Sequence, residues 1–485
     1  MIFKCHNISN NTLILVTALL KNPVIANSSD FSDEKLCSIL NELISYAYSA
    51  GADFIEIFLE NSSHIGILSE HEQITSVNPN YSKGAGIRVF KNNKDGFFST
   101  NDLTYSGLIY AIDQSLGMLG LVKSDNSSAV FNGLNNLSNY GKNKENWEKS
   151  SPDINEISEK LIFSAESLRK HAQHVQSIRG NYSRSIQEIL IASSDGTFAR
   201  DIRHHQSYGI NLISADKSNI SSIGRRYGIT DSPAGFREWN VENTSTEIAE
   251  SSKNMLYADY VDASQMPVVL ANKFGGVIFH EACGHLLETT QIERGTTPFL
   301  NMLDKKIAHS SVTAVDEGLT NGAFGSLSID DEGMEPERTV LIKDGILKRF
   351  LSDRAGNLRT GHPRTGSGRR QNYSFPAASR MRNTYICPGR HTPSDLISSV
   401  DKGLYCKSMG GGSVGPTGQF NFAVEEGYLI ENGKLTKPVK GATLIGEAKE
   451  IMPRISMCAN DLDLAAGFCG SVSGSVNVTV GQPHI

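Results

Sequence analysis

The 485-residue chain lacks the features that define several specialised classes of protein. Its formal net charge is −6, so no excess of positive charge favours a direct nucleic-acid partner. Its seven cysteines are odd in number and have no framework spacing, which indicates free thiols in a reducing, cytoplasmic compartment. No internal repeat is present. With 39% hydrophobic and 20% charged residues, the composition is that of a globular protein of about two to four domains.

Long hydrophobic runs are also missing. The one candidate, residues 12–20 (TLILVTALL), is shorter than the ~20 residues that a membrane span needs. Lys4 is a weak basic start for a signal peptide, and the sequence after Leu20 is only weakly similar to a cleavage site. We interpret residues 1–30 as a peripheral N-terminal extension and expect a soluble protein without a membrane partner.

Residues 31–235 alternate between helical and strand patterns. Acidic residues begin the first helical pattern, and Gly51 ends it. The residues 124–153 are rich in Asn, Ser and Lys and predict a surface loop. The predicted helices are Ser32–Ser49, Tyr105–Gly120 and Ile154–Val175, and the predicted strands are Phe54–Leu59, His64–Ser69, Gly84–Phe90, Gly96–Thr100, Ser177–Ser183, Ile186–Ala192, Ala199–His204 and Tyr208–Ser214. This succession predicts an α+β protein whose N-terminal domain is a layered α/β structure.

Residues 236–485 look different, and the polar stretch around Ser232–Glu242 is a plausible boundary. One more helix is predicted at Ser245–Tyr260. The predicted strands are Thr339–Lys343, Ile346–Phe350, Gly427–Ile430 and Lys434–Pro438, with hairpin turns at Asp344-Gly345 and Asn432-Gly433. We expect a C-terminal β-barrel-like domain with one embedded helix. The glycines at 410–412 and 415 predict a flexible rim beside the site.

The segment 280–285, His-Glu-Ala-Cys-Gly-His, indicates a type of reaction more specifically than any other part of the sequence. It offers two imidazoles as metal ligands, His280 and His285, and the carboxylate of Glu281 as a general base. An apolar run precedes it, so the segment predicts a buried helix whose polar groups need partners. A metal ion would satisfy both imidazoles, whereas two structural histidines beside a surface glutamate are the plainer alternative.

The spacing of the two histidines is unusual. Zinc peptidases usually place them at i and i+4, about 40° apart on a helix, but here i and i+5 are about 140° apart. Both side chains reach one ion only if the helix is overwound, bulged or broken between them. Gly284 is where such a distortion would cost least.

A catalytic zinc site needs a third protein ligand, and two cysteines compete for that role. Cys283 lies inside the motif, and Cys469 lies in a glycine-flanked turn far along the chain. A thiolate between glycines can approach a metal without steric conflict, whereas Cys283 is more simply a buried core residue. Spacing alone leaves both open.

Other polar residues suggest roles with equally plain alternatives. Arg369 and Arg370 could clamp a peptide carboxylate or form a structural salt bridge. Tyr428, like Arg370, could donate to an oxyanion or belong to the core. The acidic segment 330–333 lacks the alternating ligands of a calcium loop and predicts a solvated turn.

The chain resembles the TldD/PmbA family of peptidases, and in particular its catalytic TldD branch. The resembling segments are Gly51–Asp53, Gly84–Val89, Val268–Leu270, His280-Glu281 with Gly284–Glu288, Gly325–Gly333, Thr365–Arg370, Arg382–Thr384, Glu426–Lys434, Val439–Gly446 and Gly467–Gly470. These matches are long, specific and in the family's order.

The resemblance implies one zinc ion per active subunit, bound by His280, His285 and Cys469, with Glu281 as the catalytic carboxylate. It implies hydrolysis of unstructured peptides, as in peptide trimming or the maturation of peptide antibiotics, and a link to DNA gyrase through small proteins. It also implies a dimer, formed with a second copy or with a sister PmbA/TldE-like subunit that lacks the histidine motif. The alternative is a non-catalytic regulatory subunit with a structural metal, and hydrolysis of a non-peptide amide also stays open.

Overall fold

A computed structural model describes residues 33–121, 131–140, 151–232, 234–415 and 418–485. The predicted extension at residues 1–30 lies outside these ranges, as does most of the predicted loop at 124–153. No helix within the described ranges is long and apolar enough to cross a membrane.

The first half of the molecule is built on one seven-stranded sheet with the order β3-β2-β1-β5-β6-β4, and β7 pairs with β6. Its strands are β1 (Phe54–Glu70), β2 (Gln73–Lys91), β3 (Lys94–Thr100), β4 (Ser138–Asn139), β5 (Val175–Ser193), β6 (Phe198–Asp216) and β7 (Asn219–Thr230). Neighbouring strands are antiparallel, except for the short parallel pair of β4 and β6. The prediction of a mixed α+β fold is confirmed.

Several strands are longer than the sequence pattern predicts. The predicted pieces Phe54–Leu59 and His64–Ser69 form one strand, β1, and β5 and β6 likewise each join two predicted pieces. The polar residues in the middle of β1 stay extended because both strand edges are paired: Ser62 lies opposite Ser82 of β2 and Gln187 of β5. Two ladders of backbone hydrogen bonds outweigh the local turn propensity.

Helices cover this sheet in two apolar clusters. The helices of the first half are α1 (Asp33–Ser49), α2 (Tyr105–Gly117), α3 (Ile154–His171), α4 (Gly235–Glu238) and α5 (Val241–Leu256). Helices α1 and α2 share one cluster, whereas α3, α4 and α5 contribute to a second. The predicted helix to Val175 ends at His171 because Val175 already begins β5. The helix predicted from Ser245 begins at Val241, where the Asn240 side chain caps it.

The second half contains two six-stranded sheets and one two-stranded sheet. The first follows the order β12-β11-β10-β15-β21-β20, and the second follows β8-β18-β17-β16-β9, with β19 paired to β17. The strands are β8 (Asp259–Tyr260), β9 (Val268–Leu270), β10 (Ala314–Glu317), β11 (Thr339–Lys343), β12 (Ile346–Leu347), β13 (Gly368–Arg369), β14 (Ala378–Ser379), β15 (Asn383–Ile386), β16 (Lys402–Val414), β17 (Gln419–Glu431), β18 (Lys434–Lys440), β19 (Thr443–Glu447), β20 (Asp463–Ser471) and β21 (Gly474–Gln482).

The predicted barrel is wrong, because none of the sheets that the described residues form is closed. Instead, the two larger sheets contribute to one apolar core, and a short helix between them joins it. That helix, α6 (Val277–Ala282), carries the histidine motif. Filling the space between two open sheets with a helix buries the apolar faces of both without closing either. The remaining α-helices are α7 (Thr289–Arg294), α8 (Arg354–Thr360), α9 (Pro393–Ser398) and α10 (Ala448–Ile451).

The predicted hairpins of this half are confirmed. Asp344-Gly345 joins β11 to β12, and Asn432-Gly433 joins β17 to β18, with positive φ at all of these residues. The glycines at 410–412, predicted to form a flexible rim, lie within β16. Register shifts mark this part of β16, so the glycines accommodate an irregular strand.

Candidate metal centre

The helix that carries the histidines is broken between them. Helix α6 ends at Ala282, Cys283 leaves the helical conformation (φ −124°, ψ −47°), and residues Gly284–Leu287 continue as a tighter 3₁₀ turn. The expected distortion therefore lies one residue before Gly284. Gly284 is needed for a different reason, because a Cβ atom there would overlap the Sδ of Met381. The break and the overwound turn bring an i, i+5 pair to one side.

Three donor atoms converge at this break. The Sγ of Cys469 lies 3.2 Å from the Nε2 of His280 and 3.2 Å from the Nε2 of His285, and all three atoms lie within 4.8 Å of one another. A tetrahedral zinc ion with bonds of about 2.0 Å to nitrogen and 2.3 Å to sulfur would hold such donors roughly 3.5 Å apart. Two imidazoles and a thiolate are ligands that suit zinc, so the residues present fit this ion in number, type and spacing.

Cys469 reaches the centre through strand pairing and close packing. It lies in β20, which forms a hairpin with β21, and β21 runs parallel to β15. A Cβ atom on Gly276, just before α6, would lie 2.6 Å from backbone atoms of Gly481 in β21. Only glycine at this position lets the hairpin approach the histidine helix so closely.

The buried Arg380 holds the turn of this hairpin. Its guanidinium donates hydrogen bonds to the carbonyl of Cys469, to the carbonyl of Gly474 at 2.8 Å and to the Oγ of Ser473 at 2.9 Å. These contacts fix the backbone that presents the thiol. Nothing in the local sequence predicted this role, since the arginine is distant from Cys469 along the chain.

The carboxylate of Glu281 lies on the more open side of the centre. Its Oε2 is 3.7 Å from the Nε2 of His285, and its side chain is 25% exposed, compared with 12% for His285. The histidine and cysteine donors are thus largely shielded from water, whereas the adjacent carboxylate is accessible. This arrangement suits a base that must meet a water molecule and a substrate.

A second carboxylate, Glu288, contacts the far side of His285. Its Oε2 is 3.2 Å from the Nδ1 of His285, and the residue is almost completely buried. Sequence reasoning missed this contact. Side chains at i and i+3 lie above one another in a 3₁₀ turn, so the spacing of His285 and Glu288 is compatible with this contact. The sequence did not predict the 3₁₀ turn itself.

The charges of the centre depend on each other. Burial opposes ionisation of the Cys469 thiol, but the neighbouring His285 and His280 outweigh it and hold the pKa of that thiol well below its usual value. Burial likewise disfavours the charged form of His285, but Glu288 and Cys469 raise the pKa of its imidazole well above the usual value. A thiolate beside imidazoles is the form that binds a metal.

Cys283, the competing thiol, lies in the apolar core. It is fully buried there, and burial raises the pKa of its thiol. A thiol in such surroundings stays protonated. Of the two cysteines that spacing left open, the structure brings Cys469 to the histidines.

The predicted substrate-binding arginines are structural instead. Both side chains are buried. Arg369 donates to the carbonyl of Met381 at 2.8 Å, and burial lowers the pKa of its guanidinium to about 10. Arg370 pairs with Glu56 of β1 and lies 4.2 Å from the ring centre of Phe58. These contacts match the alternative of structural roles for both arginines.

Tyr428 is also engaged away from the centre. Its hydroxyl donates to Glu426 at 2.7 Å and accepts from the amide of Asn254 at 3.2 Å, and its ring packs against Tyr405. The prediction that it stabilises an oxyanion is therefore not supported by these contacts, which match the alternative of a structural tyrosine.

The acidic segment 330–333 is not the predicted solvated turn. Its three carboxylates are buried, and those of Asp331 and Glu332 belong to what we call the ionic cluster, which joins the first sheet to the second half of the chain. The ionic cluster comprises Glu56, Arg203, Asp331, Glu332, Arg364 and Arg370. Asp331 pairs with Arg203 at 2.5 Å, and Glu332 pairs with Arg364 at 3.2 Å. Buried charges need such partners, which explains why the segment folds inward.

Known proteins resemble this chain over nearly its full length. Sequence profiles of the PmbA/TldA metallopeptidases match residues 55–119 (domain 1), 144–256 (central domain) and 263–485 (C-terminal domain). A Haemophilus influenzae protein named metalloprotease TldD homolog is 34% identical over 451 residues, which is 89% of this chain and 91% of that protein. A Saccharolobus solfataricus protein named zinc metalloprotease TldD homolog is 27% identical over 457 residues, which is 91% of this chain and 97% of that protein.

A solved structure has the same fold. TldE from Thermococcus kodakarensis superposes with a TM-score of 0.70 at 18% sequence identity, over 92% of this chain and 100% of that chain. At this identity the likeness concerns the fold alone. The profile matches and the H. influenzae relative together show that the chain belongs to the TldD/PmbA family of metallopeptidases.

Proposed function

We propose that this chain is a zinc-dependent peptidase that hydrolyses unstructured peptides or small proteins. The observation that carries the proposal is the convergence of His280, His285 and Cys469, with the accessible carboxylate of Glu281 beside them. Relatives named metalloproteases support the same reading, and one of them is named a zinc metalloprotease.

In this proposal the two Nε2 atoms and the Cys469 thiolate would hold the zinc ion. Bound zinc supplies a Lewis acid that lowers the pKa of water and polarises a peptide carbonyl. Glu281 accepts the proton of the attacking water and returns it to the leaving amine. Its partial exposure leaves it able to do both.

The edge of β16 supports a substrate without fixed structure. Strand β9 pairs with β16 only at residues 404–406, and beyond them no described strand occupies this edge. The connection from β16 to β17 lies next to the histidine motif, because a Cβ atom on Gly418 would contact Leu286. A peptide that adds here as a strand would bind through backbone hydrogen bonds with little sequence preference.

The proposal includes a dimer of two copies or of this chain with a sister TldE-like subunit. The likeness in fold to TldE is the observation that favours such a partner. It also retains the division into an N-terminal domain at 31–235 and a C-terminal catalytic domain at 236–485.

A regulatory subunit with a structural metal is the second candidate, because one structural neighbour is a TldE protein. The donor set favours the enzyme. A structural zinc usually takes four protein ligands and needs no general base, whereas this centre offers three ligands and an accessible carboxylate.

Replacing Glu281 with Gln tests the proposal. We expect the variant to keep its zinc, measured by elemental analysis, and to lose peptide cleavage by about 10²-fold or more, because the proton acceptor is gone. Cleavage at the wild-type rate by zinc-loaded Glu281→Gln would remove Glu281 from the mechanism. If the wild-type protein contains no zinc, the proposed role of the metal in the mechanism is wrong.

A further inference from the structure

We propose that Glu288 is a positioning residue that orients His285 and strengthens it as a metal ligand. This inference rests on the proposed function, and it assigns a part of the centre to a residue outside the ligand set. The carboxylate accepts the Nδ1–H of His285 at 3.2 Å, which leaves the Nε2 lone pair directed towards Cys469. Such a contact selects one tautomer and increases the basicity of the imidazole.

The backbone on both sides of Glu288 is held in place. The carbonyl of Leu287 accepts from the N–H of Leu351 at 2.8 Å, and the N–H of Thr289 donates to the carbonyl of Leu351 at 2.8 Å. Glu288 itself is extended (φ −83°, ψ 136°) between the 3₁₀ turn and α7. The backbone that carries the carboxylate is thus held by a bridge to a neighbouring segment.

The buried carboxyl group of Glu288 has few partners. The residue is about 1% exposed, and its Oε1 has no hydrogen-bond partner among the described residues. Within the same residues its one ion-pair partner is His285, with no lysine or arginine. A buried carboxyl group needs hydrogen-bond donors or a cation as compensation. His285 provides a donor, and a divalent cation on the opposite nitrogen of its ring would add to that compensation.

Helix capping does not account for Glu288. The residue stands at the N-cap position of α7, where a carboxylate can accept from backbone N–H groups, but its side chain makes no such bond. The side chain turns back to His285 instead.

The two imidazoles of the centre are therefore unequal. The Nδ1 of His280 is buried and has no hydrogen-bond partner in the described part of the chain, whereas the Nδ1 of His285 is bound by a carboxylate. His285 should be the stronger ligand of the pair. Removing Glu288 should weaken metal binding without removing any donor atom.

The test compares zinc affinities of the full-length protein, measured by competition with a chelator. Glu288→Ala should weaken zinc binding about 10- to 100-fold, and the isosteric Glu288→Gln should weaken it by less, since it loses the charge and keeps an acceptor. The matched control is Asp461→Asn, which alters another carboxylate–imidazole pair, 2.7 Å from the Nδ1 of His484. Its zinc affinity should stay within about twofold of wild type.

A spectroscopic readout separates positioning from general destabilisation. With saturating cobalt(II) in place of zinc, the d–d bands should shift in both Glu288 variants, because they report the ligand field. The thiolate-to-cobalt charge-transfer band should persist, because Cys469 still binds.

The outcomes are distinguishable. Wild-type zinc affinity and unchanged cobalt spectra in both Glu288 variants would overturn the inference and leave the proposed function standing. If the wild-type protein binds neither metal, the proposed function fails as well. If Glu288→Ala does not fold, Glu288→Gln carries the test by itself. Weaker zinc binding in Glu288→Gln, together with a wild-type unfolding midpoint, would then support the inference.

Discussion

The metal centre and the ionic cluster bury polar groups in opposite ways. In the ionic cluster, each guanidinium group pairs directly with a buried carboxylate, and Arg203 also pairs with the buried Asp201, so opposite charges compensate each other. In the metal centre, the carboxylates of Glu281 and Glu288 face a thiol and two imidazoles, and no described lysine or arginine forms an ion pair with either. Directly paired charges stabilise a junction between parts of a fold. Carboxylates and a thiol around converging lone pairs, without a lysine or arginine partner among the described residues, indicate a site for a cation.

If this contrast holds, the largest effect on metal binding follows from removing the thiolate. Cys469→Ala should lower zinc affinity by about 3 kcal/mol, or about a hundredfold or more, because one of three ligands is lost. Peptide cleavage should fall with the zinc content. The unfolding midpoint of the metal-free protein should change little.

Cys283→Ala is the matched control, since it removes a buried thiol that is not one of the converging donors. It should keep stoichiometric zinc. Zinc loss in Cys283→Ala together with retention in Cys469→Ala would reverse the assignment of the third ligand.

The ionic cluster should respond in the opposite sense, with a loss of stability and no loss of metal. Arg370→Ala leaves the buried Glu56 unpaired and should reduce the free energy of unfolding by about 3–5 kcal/mol. Replacing both residues with leucine should recover much of this loss, because no unpaired charge remains. At temperatures well below the unfolding transition, the zinc content of these variants should match that of wild type.

Lys348→Ala serves as the control for this comparison. It removes an exposed ion pair with Asp304 and should cost about 0–1 kcal/mol in denaturant unfolding. Equal losses of stability in the Lys348 and Arg370 variants would show that burial does not determine how much these ion pairs stabilise the fold.

A smaller effect concerns pH. Burial, followed by the charge of Glu332, raises the pKa of the Asp353 carboxyl to about 7. Because the folded pKa exceeds the unfolded value of about 3.9, the folded state binds more protons between these values. This contribution to the free energy of unfolding is present below pH ~4 and is lost as pH rises towards ~7.

Asp353→Asn keeps the oxygen that accepts from the N–H of Gly356 and removes the titration. Compared with wild type, its stability should gain about 1–3 kcal/mol between pH 5 and pH 8, since each pKa unit corresponds to about 1.4 kcal/mol. Urea unfolding at both pH values measures the difference. Parallel pH dependences in the two proteins would contradict the raised pKa.

The smallest effect tests packing at the break in the histidine helix. Gly284→Ala should overlap Met381 and reduce stability by about 1–2 kcal/mol, with a modest loss of zinc affinity. Met381 is flexible, which limits the loss. Gly470→Ala, next to Cys469 but with no atom within 4 Å of the added Cβ, should leave both quantities unchanged. Equal effects of the two substitutions would rule out overlap as the cause.

Local patterns predicted much of the fold because the forces behind them are local. The apolar stripe of α1, with Leu36, Leu40 and Leu43 buried, follows from helical periodicity. The turns at Asp344-Gly345 and Asn432-Gly433 follow from residues that tolerate positive φ. The length of β1 did not follow, because its polar middle remains extended only when strands pair on both sides.

The same division applies to the site. The residue types at 280–285 identified two imidazoles and a carboxylate in one segment, and their spacing required a distorted helix between them. The distance between Cys469 and the histidines was decided by the contact of β21 with the start of α6. The role of Arg370 was decided by Glu56, which is remote along the chain. Short-range sequence therefore determined which groups are present. Long-range packing determined which of these groups lie together and which are bound by a buried partner. The reason is that hydrogen bonds and ion pairs act over a few ångströms, whatever the separation of the residues along the chain.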